Sequence, residues 1–162
     1  MSKAFTRESD DGPDEVVAMA DLALAPGEEN YVTPAGAARL RAEIDALREA
    51  PRTDARQRLV ADQRLAALLR RLEQSEVVDP LAQPKDRALF GATVTVVGED
   101  ERERRYRIVG IDEADARRGR LSWRSPVARA LLGRRVGDVA TVRTPSGEEQ
   151  LEIVRIAYEA DD

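Results

Sequence analysis

Apolar residues recur at helical spacing in the first half of the chain and predict two helices that fold back on each other. Thr33 and Pro34 suit the cap and the first position of a helix that Pro51 ends, because proline lacks an N–H group. Thr53 or Asp54 is placed to cap the second helix. The two apolar stripes face each other across a short turn and consist of Leu40, Ile44 and Leu47, and of Ala61, Leu65, Leu68 and Leu72.

The spacing of apolar residues becomes alternating in the second half of the chain and predicts a small β domain. Ser125 and Pro126 suit the start of a short helix that runs to about Leu132 and that Gly133 ends. We therefore expect an α+β fold, with a helical hairpin followed by an antiparallel sheet of four or five strands and one packed helix. The strands are predicted at 89–98, 105–108, 120–123, 139–144 and 151–158, with a polar loop at 112–119.

Charge is unevenly distributed, and residues 1–30 are predicted to be an acidic arm rather than a domain. They hold two basic and eight acidic side chains, and too few apolar ones for a core. Val16–Leu24 suits a short helix that docks elsewhere on the chain. A solvated arm is the simplest interpretation, and the alternative is phosphate mimicry or Mg²⁺ binding by Asp10, Asp11, Asp14 and Glu15.

Composition excludes several classes of function. The chain has no Cys and no His, which excludes disulfides, thiol or imidazole nucleophiles and His/Cys zinc sites. Aromatic residues make up 4% of the chain, so base stacking cannot be a major mode of binding, and the net charge of −5 argues against non-specific duplex DNA binding. No apolar run reaches the roughly 20 residues of a membrane span. We expect a soluble, cytoplasmic protein that does not bind membranes.

Four stretches carry motifs of one known family. They begin with Tyr31–Gly36 and Leu72–Asp79, at the two ends of the predicted hairpin. Phe90–Val94 with Tyr106–Ala114 is the third, and Ser122–Gly133 with Val136–Asp138 is the fourth and most specific. Over residues 30–158 the chain resembles the GreA/GreB family of bacterial transcription elongation factors, and its GreB branch most closely.

The resemblance implies a domain organisation and a partner. It implies an acidic N-terminal arm at 1–30, a short helical hairpin (coiled coil) at 31–79, a linker at 80–86 and an FKBP-like C-terminal domain at 87–162. The C-terminal domain would hold the rim of the secondary channel of bacterial RNA polymerase, and the hairpin would enter that channel. The chain would be a monomer, with no enzymatic activity and no cofactor of its own.

The hairpin tip departs from the family pattern. In active members of the family two tip carboxylates hold the second catalytic Mg²⁺ of the polymerase, which then cleaves the 3′ end of backtracked RNA. Here the tip segment is missing, and the remaining turn carries Arg52, Asp54 and Arg56. Asp54 is its only acid and suits an N-cap, while Glu49 lies at the end of the first helix. We predict no metal site and no stimulation of cleavage.

The resemblance also assigns polymerase-binding residues in the loop before the short helix. They are Ser122, Arg124, Ser125, Pro126 and Arg129. Arg124 stands where GreB-like members can carry an acid, so a contact made by that acid does not carry over. A basic face suited to an acidic partner, or else a solvated surface, would consist of Arg117, Arg118, Arg120, Arg124 and Arg129.

Three alternatives remain open from the sequence. The chain could still promote cleavage of backtracked RNA, or be a nucleic-acid-binding module that contacts nascent RNA or DNA. An FKBP-like fold also suggests prolyl isomerase activity as a third alternative. The active-site pockets of such isomerases are lined by several aromatic residues, however, and this domain has few.

Overall fold

The computed structural model describes residues 24–25 and 27–160, in a mixed arrangement of helices and strands. The predicted arm, with the helix at Val16–Leu24, therefore lies almost wholly outside the described residues. In chain order the elements are β1 (Asn30–Val32), α1 (Pro34–Glu49), α2 (Ala55–Glu73), β2 (Ser75–Val77), β3 (Ala92–Val97), β4 (Glu103–Val109), β5 (Arg120–Ser122), α3 (Pro126–Leu131), β6 (Val139–Thr144) and β7 (Gly147–Tyr158).

The ends of α1 and α2 follow from local chemistry. The Thr33 hydroxyl caps α1 by accepting a hydrogen bond from the Gly36 N–H at 3.1 Å. At the other end Ala50 is extended, with ψ at 134°, because the following proline disfavours helical geometry there. Asp54, not Thr53, caps α2. The predicted caps and the predicted stop are confirmed.

The two helices pack through the predicted stripes. Leu40, Ile44 and Leu68 are buried between them, and Leu47, Leu65 and Leu72 are partly buried around this centre. Arg64 also pairs with Glu43 across the helices. Both of these side chains are well exposed, so the ion pair contributes at most about 1 kcal/mol and the apolar stripes dominate.

The two ends of this helical pair form a small parallel sheet that the sequence did not predict. β1 pairs with β2, so that Asn30 lies opposite Ser75 and Val32 opposite Val77. The Asn30 side-chain amide also donates a hydrogen bond to the Ser75 hydroxyl at 3.1 Å. The pairing ties the start of α1 to the end of α2 and thereby closes the base of the pair.

The second sheet has five strands in the order β5-β4-β3-β7-β6. The prediction of a wholly antiparallel sheet is wrong at one edge, where β5 pairs with β4 in parallel. The segment between these strands explains the difference, because it turns twice, through the 3-10 helices Ile111–Glu113 and Ala116–Arg118. β5 therefore runs in the same direction as β4.

One face of this sheet and α3 enclose the main hydrophobic core. Leu131 of α3 is fully buried. The other buried members of the core are Ala88, Ala92, Val94, Val96, Ile108, Ala128, Ala140, Val142, Leu151 and Ile153. Among the described residues, none of the helices has the length and apolar character that crossing a membrane requires.

Candidate functional site

The predicted binding loop is held by its own hydrogen bonds. The Ser125 hydroxyl caps α3 by accepting from the Ala128 N–H at 3.2 Å, and the Ser125 N–H donates to the Ser122 carbonyl at 2.9 Å. The Ser122 hydroxyl accepts from the Arg124 N–H at 3.2 Å. Both serines therefore fix the loop, and exposed Pro126 is presented at its surface.

The predicted basic residues differ in their exposure and in their neighbours. The Arg124 side chain is 14% exposed, and its guanidinium lies 3.7 Å from the Glu28 carboxylate. Arg129 is exposed on α3. Arg117 and Arg118 are exposed at the edge of β5, on the 3-10 turn that precedes it. Arg124 is thus set apart from the exposed arginines by its burial and its acidic neighbour.

An aromatic cluster joins the loop to the start of the helical pair. Trp123 packs edge-on against Tyr31 with ring centroids 5.2 Å apart, and the Phe90 and Tyr31 ring centroids are 6.2 Å apart with the rings tilted. The backbone N–H of Trp123 donates to the Val109 carbonyl at 2.9 Å. The position of the loop is therefore coupled to the base of α1.

A buried carboxylate makes the second link between the two parts of the protein. Glu113 is 4% exposed and accepts hydrogen bonds from the Thr33 N–H at 3.1 Å and the Gly110 N–H at 3.0 Å. The Thr33 hydroxyl donates to its other oxygen. The sequence pattern predicted only a polar loop at Glu113 and did not indicate this role.

Two glycines leave room for the Glu113 carboxylate. A Cβ on Gly36 would lie 2.8 Å from Glu113 Oε2 and closer still to other carboxyl atoms. A Cβ on Gly110 would lie 2.6 Å from both Glu113 Oε2 and the Tyr31 carbonyl. These glycines, both within the recognised motifs, are the sequence signal that could have located this contact.

A third link joins α2 to the same turn. Arg71 donates a hydrogen bond to Asp112 at 2.6 Å. Burial raises the pKa of Asp112 above its ordinary value, and the positive charge of Arg71 opposes that shift. Two adjacent acids of one 3-10 turn therefore contact different helices. Glu113 binds the start of α1, and Asp112 binds the end of α2.

The predicted tip residues serve the turn itself. The Asp54 carboxylate accepts from the Gln57 N–H at 2.8 Å, which confirms its role as an N-cap. Arg52 donates to Asp62 at 2.7 Å and to the Leu47 carbonyl at 3.2 Å, at the end of α1. Arg56 is exposed in the first turn of α2. The turn therefore presents one acid, already bound to the backbone, between two arginines.

Replacing Asp54 by alanine is expected to lower the free energy of unfolding by about 1 kcal/mol, because the α2 N-terminus loses its cap. Urea denaturation measures this change. Asp54→Ser is the matched control, since serine also caps helices, and it should retain most of the stability. Equal losses in the two variants would contradict the capping role.

Comparison with known proteins connects these features to one family. The family model described as "Transcription elongation factor, GreA/GreB, C-term" matches residues 83–158. The chain is similar to the transcription elongation factor GreB of Neisseria meningitidis serogroup B, with 45% identity over 98 residues. That match covers 60% of this chain and 60% of the relative.

A longer match and a solved structure were also found. The solved GreA/GreB factor of Nitrosomonas europaea is 26% identical and has a TM-score of 0.42, with 80% of this chain and 100% of that chain covered. GreB of Pseudomonas aeruginosa is 37% identical over 150 residues, which cover 78% of this chain and 89% of that relative. Because the GreB match spans most of the relative and the C-terminal match is to the same family, the chain belongs to the GreA/GreB family of transcription elongation factors.

Proposed function

We propose that this chain binds bacterial RNA polymerase at the rim of the secondary channel without stimulating transcript cleavage. In this proposal residues 87–162 form the FKBP-like docking domain, and the helical pair within residues 31–79 points into the channel. The chain contributes binding surfaces and no active centre. Family membership supports the partner, and the Ser122–Gly133 motif, with α3 and its capped loop, supports the site of contact.

The geometry of the turn Ala50–Asp54 is the main observation in support of a factor that does not stimulate transcript cleavage. Completing a shared Mg²⁺ site requires hard oxygen ligands directed at the metal. The Asp54 carboxylate instead accepts a backbone hydrogen bond in α2, and Arg52 and Arg56 flank it with positive charge. A single engaged carboxylate cannot replace a pair of free ones.

The length of the helices supports the same proposal. α1 has 16 residues and α2 has 19, so at ~1.5 Å per residue they extend about 24 Å and 28 Å. The match to Pseudomonas aeruginosa GreB is 150 residues long, but it spans only 78% of this 162-residue chain, which is a smaller number of residues. The Pseudomonas aeruginosa protein therefore has residues without a counterpart here. We assign these residues to the tip segment that is missing here.

The docking site is tested by placing negative charge on the exposed side of α3. Pro126→Glu combined with Arg129→Glu is expected to weaken binding to core RNA polymerase at least tenfold, or about 1.4 kcal/mol. Both side chains are exposed, so stability should change little. Binding is measured with labelled protein and purified polymerase, and by competition with an authentic cleavage factor.

Arg143→Glu is the matched control for this experiment. Arg143 lies on β6, its side chain is 89% exposed, and its only neighbouring acid is the exposed Glu148 among the ion pairs of the described residues. We expect its affinity for polymerase to match that of the unmodified chain. Unchanged affinity in the Pro126/Arg129 variant would place the contact elsewhere on the protein.

A further inference from the structure

The face of the five-stranded sheet opposite α3 is rich in arginine. Residues of β3 alternate, so Val94 and Val96 point into the core with α3 while Thr93 and Thr95 point to the other face. We call this other surface the arginine face. It comprises Arg105, Arg107, Arg120 and Arg155 on the strands, with Arg117 and Arg118 at the β5 edge. Two acids, Glu103 and Glu152, lie on the same face at the end of β3, where both pair with Val97, so the arginines outnumber the acids there.

Strand pairing places two of these arginines side by side and two others on opposite sides of one threonine. Arg107 pairs directly with Arg120 across β4 and β5. Thr95 pairs with Arg105 on one side and with Arg155 on the other. Like charges on neighbouring positions of a sheet repel and destabilise it. Negative charge placed over the face would reduce this repulsion.

The described residues neutralise this face incompletely. Glu159 accepts hydrogen bonds from Arg105 at 2.7 and 2.9 Å. Within residues 24–25 and 27–160, no acid forms an ion pair with Arg117, Arg120 or Arg155. The face thus retains positive charge that an acidic occupant would balance.

A buried hydroxyl adds a polar group to the same face. Thr93 is 4% exposed, and its Oγ1 has no hydrogen-bond partner among the described residues. It lies in the row of Arg107, its partner on β4. A buried hydroxyl without a partner costs free energy, so an acceptor brought to this row would stabilise the sheet.

The acidic residues 1–23 are suited to occupy this face. They carry six acidic and two basic side chains, and the described chain begins directly after them at Leu24. Glu28 lies 3.7 Å from Arg124, which follows β5 by two residues. The segment therefore joins the structure near the strand that carries Arg120. At ~3.3 Å per residue it could extend about 75 Å, so its reach is ample.

We propose that the acidic segment 1–23 docks on the arginine face and shields it from other polyanions. The proposal goes beyond polymerase binding and does not depend on it. Attraction between opposite charges drives the docking, which salt therefore weakens. A second chain of negative charge, such as single-stranded nucleic acid, would have to displace the segment before binding the same arginines.

A spin label on the full-length protein tests the docking. The chain contains no cysteine, so Ser9→Cys gives a unique attachment point among the acids. At low salt we expect NMR line broadening at the amides of Arg105, Arg107, Arg120 and Arg155, and its loss at about 0.5 M salt, where charges are screened beyond ~4 Å. Arg120→Glu with Arg155→Glu should abolish the broadening, and the control Arg58→Glu on α2 should preserve it.

A second full-length variant tests the shielding. Its six acids in residues 1–23 are replaced by their amides, and its affinity for a labelled single-stranded oligonucleotide should rise at least tenfold over the unmodified chain at low salt. Arg120→Glu with Arg155→Glu should cancel that gain. The docking would be overturned if the line broadening were absent, or if it fell on α3 or the helical pair. It would also be overturned if the broadening persisted after the acids are neutralised. Equal oligonucleotide affinity in both chains would overturn the shielding.

Discussion

Replacing Glu113 by alanine is expected to lower the free energy of unfolding by about 3 kcal/mol. The change leaves the buried N–H groups of Thr33 and Gly110 without their acceptor, and each such loss costs ~1–3 kcal/mol. The Thr33 hydroxyl loses its acceptor as well. The start of α1 should also loosen from the sheet. Urea denaturation followed by the fluorescence of Trp123, which packs against Tyr31 at this junction, measures both effects.

Two variants show whether the carboxylate itself matters. Glu113→Gln keeps the size and one carbonyl oxygen, so we expect a loss of only about 1 kcal/mol from the missing charge. Glu103→Ala alters an exposed acid at the start of β4 and should stay within ~0.5 kcal/mol of the unmodified protein. If Glu113→Ala were as stable as Glu103→Ala, the buried carboxylate would not hold the two parts together.

Replacing Leu131 by alanine is expected to cost about 3–4 kcal/mol. Its side chain is fully buried between α3 and the sheet, and truncation of a buried leucine leaves a cavity in addition to the lost apolar contact. α3 has only six residues, and Leu131 is the larger of its two buried side chains, the other being Ala128. The loss should also release the Ser122–Pro126 loop and weaken polymerase binding. Thermal or urea denaturation measures the stability.

Val136→Ala is the matched control for the α3 variant. Val136 follows α3 and is 58% exposed, so its truncation should change the free energy of unfolding by less than ~0.5 kcal/mol. A loss for Leu131→Ala no larger than that for Val136→Ala would show that α3 is not held by this side chain.

The sequence predicted most elements because their causes are local. Thr33 and Asp54 cap the first two helices, and Pro51 ends the first, through groups only a few residues away. The alternation around Val94 and Val96 likewise fixes which residues of β3 face the core. Strand ends differ from the predicted ones by a few residues, since backbone pairing rather than composition sets them.

The missed features depend on contacts between distant segments. The parallel pairing of β5 with β4, and of β1 with β2, is decided by how the intervening turns and helices return the chain. Glu113 acquires its role only when Thr33, far away in sequence, is brought to it. Arg124 was predicted to contact a partner, and the approach of the distant Glu28 to within 3.7 Å of its 14% exposed side chain could not be predicted from the sequence.

The central claim is tested most directly with backtracked transcription complexes. Purified bacterial RNA polymerase complexes are incubated with Mg²⁺ and a concentration of this protein that saturates binding, and the release of short 3′ RNA fragments is followed. We expect fragments to be released no faster than by polymerase alone, both with the unmodified protein and with Asp54→Ala. An authentic cleavage factor serves as the positive control. Faster release of fragments that Asp54→Ala abolishes would contradict the claim, because the short turn would then supply a working metal ligand.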